Sequence, residues 1–294
     1  MKNPVSFSCI AALLFLGSCQ SSVSTSLIPE IPSVSVANSK SEEAEAELDK
    51  KAEAPVMVSD IDAATVLSKP QIPILCYHQI RDWRGNESRG VKDAVVPPAV
   101  FKSQLQILAD SGYHTILPDD LYNYLTKGTA LPSKPIMLTY DDGDADQYNI
   151  AAPEMAKHGF KGVFFVMTVS LGRSIYMTKE QVKQLSDNGH IIASHTWNHQ
   201  NVKTYTDTDW DKQLIESGKQ LEAVTGKPIK YFAYPFGAWN KQAIPALQKR
   251  NMIAAFQLSA KMDPDDPLYT IRRMMVPGDW SANTMLNAMR RTFR

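Results

Sequence analysis

The chain has 294 residues, of which 44% are hydrophobic and 21% are charged. This composition is typical of a globular protein and excludes a wholly disordered, collagen-like or coiled-coil chain. Basic and acidic residues number 31 each, so the formal net charge is zero, whereas proteins that bind nucleic-acid phosphates normally carry a basic excess. Cysteines occur only at positions 9, 19 and 76, so a folded region after residue 70 has no partner for an internal disulfide.

The first eighteen residues are expected to be a signal peptide. Lys2 supplies a positive charge, and the apolar run over 9–16 is too short to span a bilayer. This run ends in Leu-Gly-Ser-Cys at 16–19, which resembles the lipobox of bacterial lipoproteins. The resemblance implies that Cys19 is lipidated, and that Gln20 after it directs the protein to the outer membrane, facing the periplasm. The alternative is an ordinary signal peptide with a chance cysteine.

Residues 19–69 are expected to form a flexible tether. Serine is interleaved with proline and small residues up to position 39, and glutamate alternates with alanine after position 41. Such a segment buries too little apolar surface to offset the entropy lost on ordering. Its expected role is to give a domain at residues 70–294 reach from the membrane.

From residue 70 onward, apolar runs of strand length alternate with stretches of helical period. In chain order the predicted elements are a strand at 72–78, a helix at 98–111, a strand at 113–117, a helix at 119–125, a strand at 135–140, a helix ending at 153–158, a strand at 162–167, a helix at 178–188, a strand at 190–194, a helix at 208–224, a strand at 231–234, a helix at 240–250, strands at 252–258 and 271–276, and a helix at 281–293. This repetition predicts one barrel-like α/β domain, with its chemistry at the carboxyl ends of the strands.

Four polar motifs stand where predicted strands end. They are Tyr77-His78, Asp141-Asp142-Gly143, His195-Thr-Trp-Asn-His199 and Tyr234-Pro-Phe-Gly237. An Asp-Asp-Gly is most often a turn, and two histidines four apart are as often chance as a ligand pair. Their coincidence at one predicted rim is much less expected by chance, and it indicates a catalytic site.

Two imidazoles and one carboxylate are a common ligand set for a catalytic divalent metal. The spacing of His195 and His199 is expected to place both imidazoles on one side of a helical turn. One of the two aspartates can then bind metal while its neighbour stays free as a base. This arrangement suits metal-assisted hydrolysis, in which the metal lowers the pKa of bound water and the base removes its proton.

The order Thr-Tyr-Asp-Asp-Gly at 139–143, then Ser-His-Thr-Trp-Asn-His at 194–199, resembles the NodB-type polysaccharide deacetylases of carbohydrate esterase family four. The resemblance covers about residues 70–294 and implies a distorted (β/α)7 barrel. It implies that Asp141 is the catalytic base and that Asp142, His195 and His199 bind the metal. It also implies that the backbone N–H of Phe236 helps to hold the oxyanion.

The sequence departs from the family in two places. The third motif lacks its usual arginine, and no histidine follows His199 to serve as the usual C-terminal acid. The family branch that acts on poly-β-1,6-N-acetylglucosamine is similar, because its acid histidine lies in an N-terminal Tyr-His sequence. This likeness implies that His78 is the general acid and that a late arginine orients the base. Arg273 is favoured over Arg272 by register.

The resemblance implies a polysaccharide N-deacetylase with a divalent metal, zinc by expectation and cobalt, nickel or iron otherwise. The expected substrate is poly-β-1,6-N-acetyl-D-glucosamine of biofilm matrix. No nucleic-acid partner is expected, and the question of partner proteins from an export machinery is left open. Alternatives are a deacetylase or esterase on peptidoglycan, chitin-type glycan or acetylated xylan, and a non-catalytic tethered glycan-binding module.

Overall fold

The computed structural model describes residues 62–258 and 260–294. The predicted signal peptide, Cys19 and the tether up to residue 61 lie outside the described residues. Residues 62–69, which the sequence analysis assigns to the tether, are among the described residues. Asp62 caps helix α1 (Ala63–Ser68), whose Val66 is buried against the core. Within these two ranges, no helix is long and apolar enough to cross a membrane.

Eight parallel strands form one curled sheet. In chain order they are β1 (Ile74–Tyr77), β2 (His114–Thr115), β3 (Pro135–Tyr140), β4 (Gly162–Val166), β5 (Ile191–Ser194), β6 (Tyr231–Ala233), β7 (Ala254–Phe256) and β8 (Met274–Met275). Their spatial order is β7-β6-β5-β4-β3-β1-β8, and β2 pairs with β3. The β1, β3 and β4 strands are buried almost throughout, as expected of a parallel sheet covered on both faces.

Helices connect the strands. They are α2 (Arg89–Ala94), α3 (Pro98–Asp110), α4 (Pro118–Lys127), α5 (Ala152–Ala156), α6 (Lys179–Asp187), α7 (Asp207–Trp210), α8 (Ser217–Thr225), α9 (Ala243–Gln248) and α10 (Ala282–Thr292). Thr178 and Gln181 form a capping box on α6, and Gly226 ends α8 in the left-handed conformation. Helix α2 was not predicted, because its six residues include no buried one to give a period.

The predicted strand over 271–276 divides its hydrogen bonds between two neighbours. Ile271 bonds on both sides to the end of β7, through Ala255 and Gln257, while β8 pairs with β1. The curled sheet is therefore joined through this segment, and the predicted distorted (β/α)7 barrel of the NodB type is confirmed. Arg273, between the two pairings, is 1% exposed.

Candidate active site

The carboxyl ends of β1, β3, β5 and β6 meet at one rim of the barrel, because neighbouring parallel strands end on the same side. His78 follows β1, Asp141 follows β3 and His195 follows β5. In-register pairing of Tyr77 with Tyr140 sets the first two side by side. The four sequence motifs therefore converge, as the sequence predicted.

Asp142, His195 and His199 form a compact cluster. The Nε2 atoms of His195 and His199 lie 3.5 and 3.4 Å from the same Asp142 Oδ1. The three ligand atoms lie within 4.8 Å of one another. Two nitrogens and one oxygen around a tetrahedral zinc stand about 3.3 Å apart, from metal–ligand distances of about 2.0 Å. The observed separations match that spacing closely.

The hydrogen bonds of the cluster leave its inward atoms without partners. His195 Nδ1 lies 2.8 Å from the backbone oxygen of Ala233, which only accepts, so Nδ1 carries the proton. In the neutral ring Nε2 is therefore an acceptor, and both it and Asp142 Oδ1 are buried without a partner. A bond from Nδ1 to a backbone carbonyl is typical of metal-binding histidines. Two facing acceptors are satisfied together by a cation, so this donor set fits a divalent metal.

The charges of the cluster favour a cation in the same place. Burial opposes the charged form of both groups, yet His195 lowers the pKa of Asp142. Conversely, Asp141 and Asp142 raise the pKa of His195 despite its burial. Opposite shifts of this kind mean that the carboxylates favour positive charge at this cluster, which a divalent ion would also supply.

The turn that carries the two imidazoles is not helical, so that expectation was wrong. Thr196 and His199 have φ values of 69° and 62°, and Asp142 on the facing loop has 75°. Residues other than glycine rarely adopt this left-handed region, at a cost of order 1–3 kcal/mol each. These bends aim both Nε2 atoms at Asp142 Oδ1, which the four-residue spacing alone does not achieve.

Asp141 is held by a buried arginine. Its Oδ1 and Oδ2 accept hydrogen bonds from Arg273 Nη1 and Nη2 at 2.6 and 2.8 Å. The guanidinium also donates to Thr139 Oγ1 and to the backbone oxygen of Gln257. Burial acts to raise the pKa of Asp141, but Arg273, with smaller contributions from His195 and His78, holds that pKa well below its usual range. Asp141 is therefore an ionised carboxylate under all ordinary conditions.

The structure distinguishes the two candidate arginines. Arg272 donates to Gln71 Oε1 at 3.0 Å and lies over the ring of Phe293, away from the aspartates. Arg273 contacts Asp141 directly.

His78 lies beside Asp141 and faces Oδ2, the oxygen that also accepts from Arg273 Nη2. Its Nε2 is 4.0 Å from Asp141 Oδ2, and its side chain keeps 19% of its surface exposed. Its Nδ1 is buried without a hydrogen-bond partner. His78 is thus the third imidazole at this rim, and unlike His195 and His199 it lies outside the Asp142 cluster.

Phe236 stands at the mouth of the site. Its ring is 64% exposed and contacts the His199 ring at a centroid distance of 4.4 Å. Its φ of 61° turns the backbone sharply after β6. Within residues 62–258 and 260–294 its N–H has no acceptor, so it is free to donate to a ligand.

Three buried residues support the site, and the sequence analysis did not identify any of them as site residues. Gln147 Nε2 donates to the backbone oxygens of both His78 and Asp141 and so joins two loops of the rim. Gln213 Oε1 accepts from the backbone N–H groups of residues 197 and 198, inside the turn between the two imidazoles. Cys76 is buried, and its Sγ lies 3.6 Å from Asp141 Oδ2. No local pattern marks these residues, because their partners are distant in sequence.

Comparison with known proteins agrees with this geometry. Residues 128–255 match the family model for polysaccharide deacetylases. YxkH of Bacillus subtilis, which carries a polysaccharide deacetylase name, is 29% identical over 74% of this chain and 77% of its own length. A poly-β-1,6-N-acetyl-D-glucosamine N-deacetylase of Staphylococcus epidermidis is 25% identical over 65% of this chain and 71% of its own. The solved structure of the Streptococcus pyogenes deacetylase PplD with acetate superposes with a TM-score of 0.69 at 25% identity, over 75% of this chain and 99% of that one.

The barrel, the rim motifs and these matches define an enzyme of the polysaccharide deacetylase class. More particularly, its fold and the order of its rim motifs are similar to those of the NodB-type deacetylases of carbohydrate esterase family four.

Proposed function

We propose that this enzyme removes N-acetyl groups from poly-β-1,6-N-acetyl-D-glucosamine. The observation that carries the proposal is the position of His78, which follows β1 and lies 4.0 Å from Asp141, in a chain without any histidine after His199. An acid supplied from the first strand is the arrangement that the resemblance to the poly-β-1,6-N-acetylglucosamine branch implies. The likeness to a staphylococcal enzyme named for that substrate supports it.

Asp142, His195 and His199 are the proposed metal ligands. A divalent ion held there, zinc by expectation, would polarise the acetyl carbonyl and make water more acidic. The carboxylate sets the charge of the site, and the Ala233 carbonyl keeps the His195 ring in its binding tautomer.

Asp141 is the proposed base. Arg273 occupies both of its oxygens from the barrel interior, which fixes the direction in which the remaining lone pairs point. Because the guanidinium keeps the carboxylate ionised, Asp141 is always ready to accept the proton of an attacking water. A base held rigidly by a bidentate partner needs little reorganisation during the reaction.

His78 is proposed to act on the nitrogen of the scissile amide, and Phe236 on its carbonyl oxygen. An amine leaves a tetrahedral intermediate only after its nitrogen is protonated, and an imidazole can supply that proton near neutral pH. His78 is in place for this, outside the Asp142 cluster. The free N–H of Phe236 is the proposed donor to the developing oxyanion.

Residues 1–18 and Cys19 lie outside the described structure, and their role is a proposal from the sequence. We propose that Cys19 is lipidated and that the enzyme is anchored to the outer membrane, facing the periplasm. In that position it would meet the polymer during export to the biofilm matrix.

The substrate is tested by mass spectrometry of oligosaccharides incubated with purified enzyme. Acetate release from β-1,6-linked N-acetylglucosamine oligomers, well above release from β-1,4-linked chitin oligomers, peptidoglycan fragments and acetylated xylan, is expected. Preference for another member of this panel would replace the proposed substrate. Absence of release from every member, by metal-loaded protein, would favour a non-catalytic glycan-binding module.

A further inference from the structure

A second group of potential metal ligands contains Asp141 and His78, the two residues proposed for proton transfer. Cys76 on β1, His78 after it and Asp141 after β3 bring one ligand atom each to within 4.8 Å of one another. None of the three belongs to the Asp142 cluster. The group exists because β1 and β3 pair in register, so that Cys76 stands opposite Thr139, two residues before Asp141.

The distances approach those of a tetrahedral site. Sulfur and oxygen on one zinc stand about 3.5 Å apart, and nitrogen and oxygen about 3.3 Å. Cys76 Sγ and Asp141 Oδ2 are already 3.6 Å apart, whereas His78 Nε2 is 4.0 Å from the same oxygen. His78 therefore has to approach by roughly 0.7 Å. No hydrogen bond holds the buried Nδ1 of His78 in its present position, which leaves the ring able to move.

We propose that Cys76, His78 and Asp141 form a second, inhibitory site for a soft divalent cation such as Zn²⁺ or Cd²⁺. Occupying it consumes the lone pairs of Asp141 and His78 that the proposed mechanism uses for proton transfer. Excess metal then stops the enzyme although the Asp142 cluster is correctly loaded. A thiolate, an imidazole and a carboxylate are ligands that zinc accepts together.

This second site binds more weakly than the first for two reasons. Burial raises the pKa of the Cys76 thiol, so the metal must displace a proton, which is released to solvent. The Arg273 guanidinium, held on Asp141, repels a cation at short range. The Asp142 cluster has no thiol to deprotonate and accepts no hydrogen bond from Arg273, so it fills first.

Cobalt distinguishes the two sites by spectroscopy, independently of enzyme activity. Co²⁺ at Asp142, His195 and His199 has no sulfur ligand, whereas Co²⁺ at Cys76 gives a sulfur-to-metal charge-transfer band in the near ultraviolet. In metal-free full-length protein, we expect this band to be absent up to one equivalent of Co²⁺ and to appear with the second. It should be lost in C76A and in the near-isosteric C76S, both of which keep Cys9 and Cys19.

His114 provides a matched control for His78, since it is an exposed histidine far from the rim. We expect H78A to lose the second binding event and H114A to keep it. A band that persists in C76A, or no band in the wild type at several equivalents, would overturn the proposal. So would a second equivalent that binds H78A with unchanged affinity.

Activity provides the second readout. Each variant is compared with its own rate at one equivalent of zinc, so that effects on basal activity cancel. Raising free zinc is expected to inhibit the wild type more than tenfold and C76A or C76S much less. Equal inhibition of all three would refute an inhibitory role for Cys76, while the cobalt titration judges the binding site even if the substrate assignment fails.

Discussion

Arg273 donates two hydrogen bonds to Asp141 in the barrel interior, from Nη1 to Oδ1 at 2.6 Å and from Nη2 to Oδ2 at 2.8 Å. The two residues are 132 positions apart in sequence. Two further guanidinium N–H groups donate to the backbone oxygen of Gln257 and to Thr139 Oγ1, so four of its five N–H groups have acceptors. A buried ion pair of this kind is costly to break, because one charge is then left without compensation.

Replacing Arg273 by methionine should therefore destabilise the protein and impair its base. Loss of one partner of a buried pair costs about 3–5 kcal/mol, measurable by urea unfolding. R272M is the control. Arg272 donates one partly buried hydrogen bond to Gln71, so its replacement should lower the free energy of unfolding much less. Equal unfolding midpoints for the two variants would contradict the assigned role.

The same substitution should move the pH profile in a definite direction. With Arg273 present the pKa of Asp141 is depressed, so the pair's contribution to stability is complete above the ordinary aspartate pKa of about 3.9 and is lost as pH falls below it. Without the guanidinium, burial raises that pKa. The acidic limb of kcat/KM in R273M is expected to shift to higher pH, and R273K should recover part of the shift. An unmoved limb would show that Arg273 is only structural.

Changing Asp141 to asparagine tests the base. The variant keeps Asp142 and both imidazoles, so its metal content by atomic absorption should match the wild type. Loss of general-base catalysis lowers kcat by about 10²–10⁴-fold. D119N is the control, because Asp119 pairs with Lys230 away from the rim. Wild-type turnover by a folded D141N would assign proton removal to another group.

Changing His78 to alanine tests the acid. The metal should stay bound, and hydrolysis of the N-acetyl substrate should fall much more than hydrolysis of an activated acetyl ester, whose leaving group needs no proton. H114A should leave both rates unchanged. Equal losses on both substrates in H78A would indicate a structural role, and intact amide hydrolysis would remove His78 from the mechanism.

Metal removal tests the Asp142 cluster. A chelator should abolish acetate release, and zinc or cobalt should restore it. Free zinc at a hundred times its Kd stabilises a folded protein by about 2.7 kcal/mol, which raises Tm by roughly 5–10 °C for a domain of this size. H199A should lose most of this increase. Full activity in metal-free protein would exclude metal catalysis.

Changing Cys19 to serine tests the anchor. The variant should accumulate as an uncleaved precursor or as a soluble protein, because no thiol remains for lipid attachment. The measurement is fractionation of cells into membrane and soluble parts. A mature-sized C19S protein that still sediments with outer membranes would refute lipidation at this position.

The sequence predicted most of the elements and all four rim motifs, because both depend on local patterns. Apolar runs ending in polar residues identify Asp141 and His195 as rim residues without any knowledge of contacts. Less was predictable where the backbone is strained. The left-handed bends at Thr196 and His199 replace the expected helical turn, since contacts with Gln213 and Asp142 override the local preference.

By itself, then, the sequence determined the alternation of strands and helices, the strand ends on which the chemistry stands and the residue types gathered there. The strands and helices follow from the periodicity of apolar residues, and the residue types at the strand ends follow from short motifs of a few neighbouring positions. Only the tertiary structure decided that Arg273 rather than Arg272 meets Asp141, that Gln147 joins the His78 and Asp141 loops, and that Cys76 lies against the base. Those contacts join residues between 65 and 132 positions apart, except for the six positions between Asp141 and Gln147. They exist because parallel pairing of β1, β3 and β8 closes the barrel around the aspartate, and local sequence carries no record of that register.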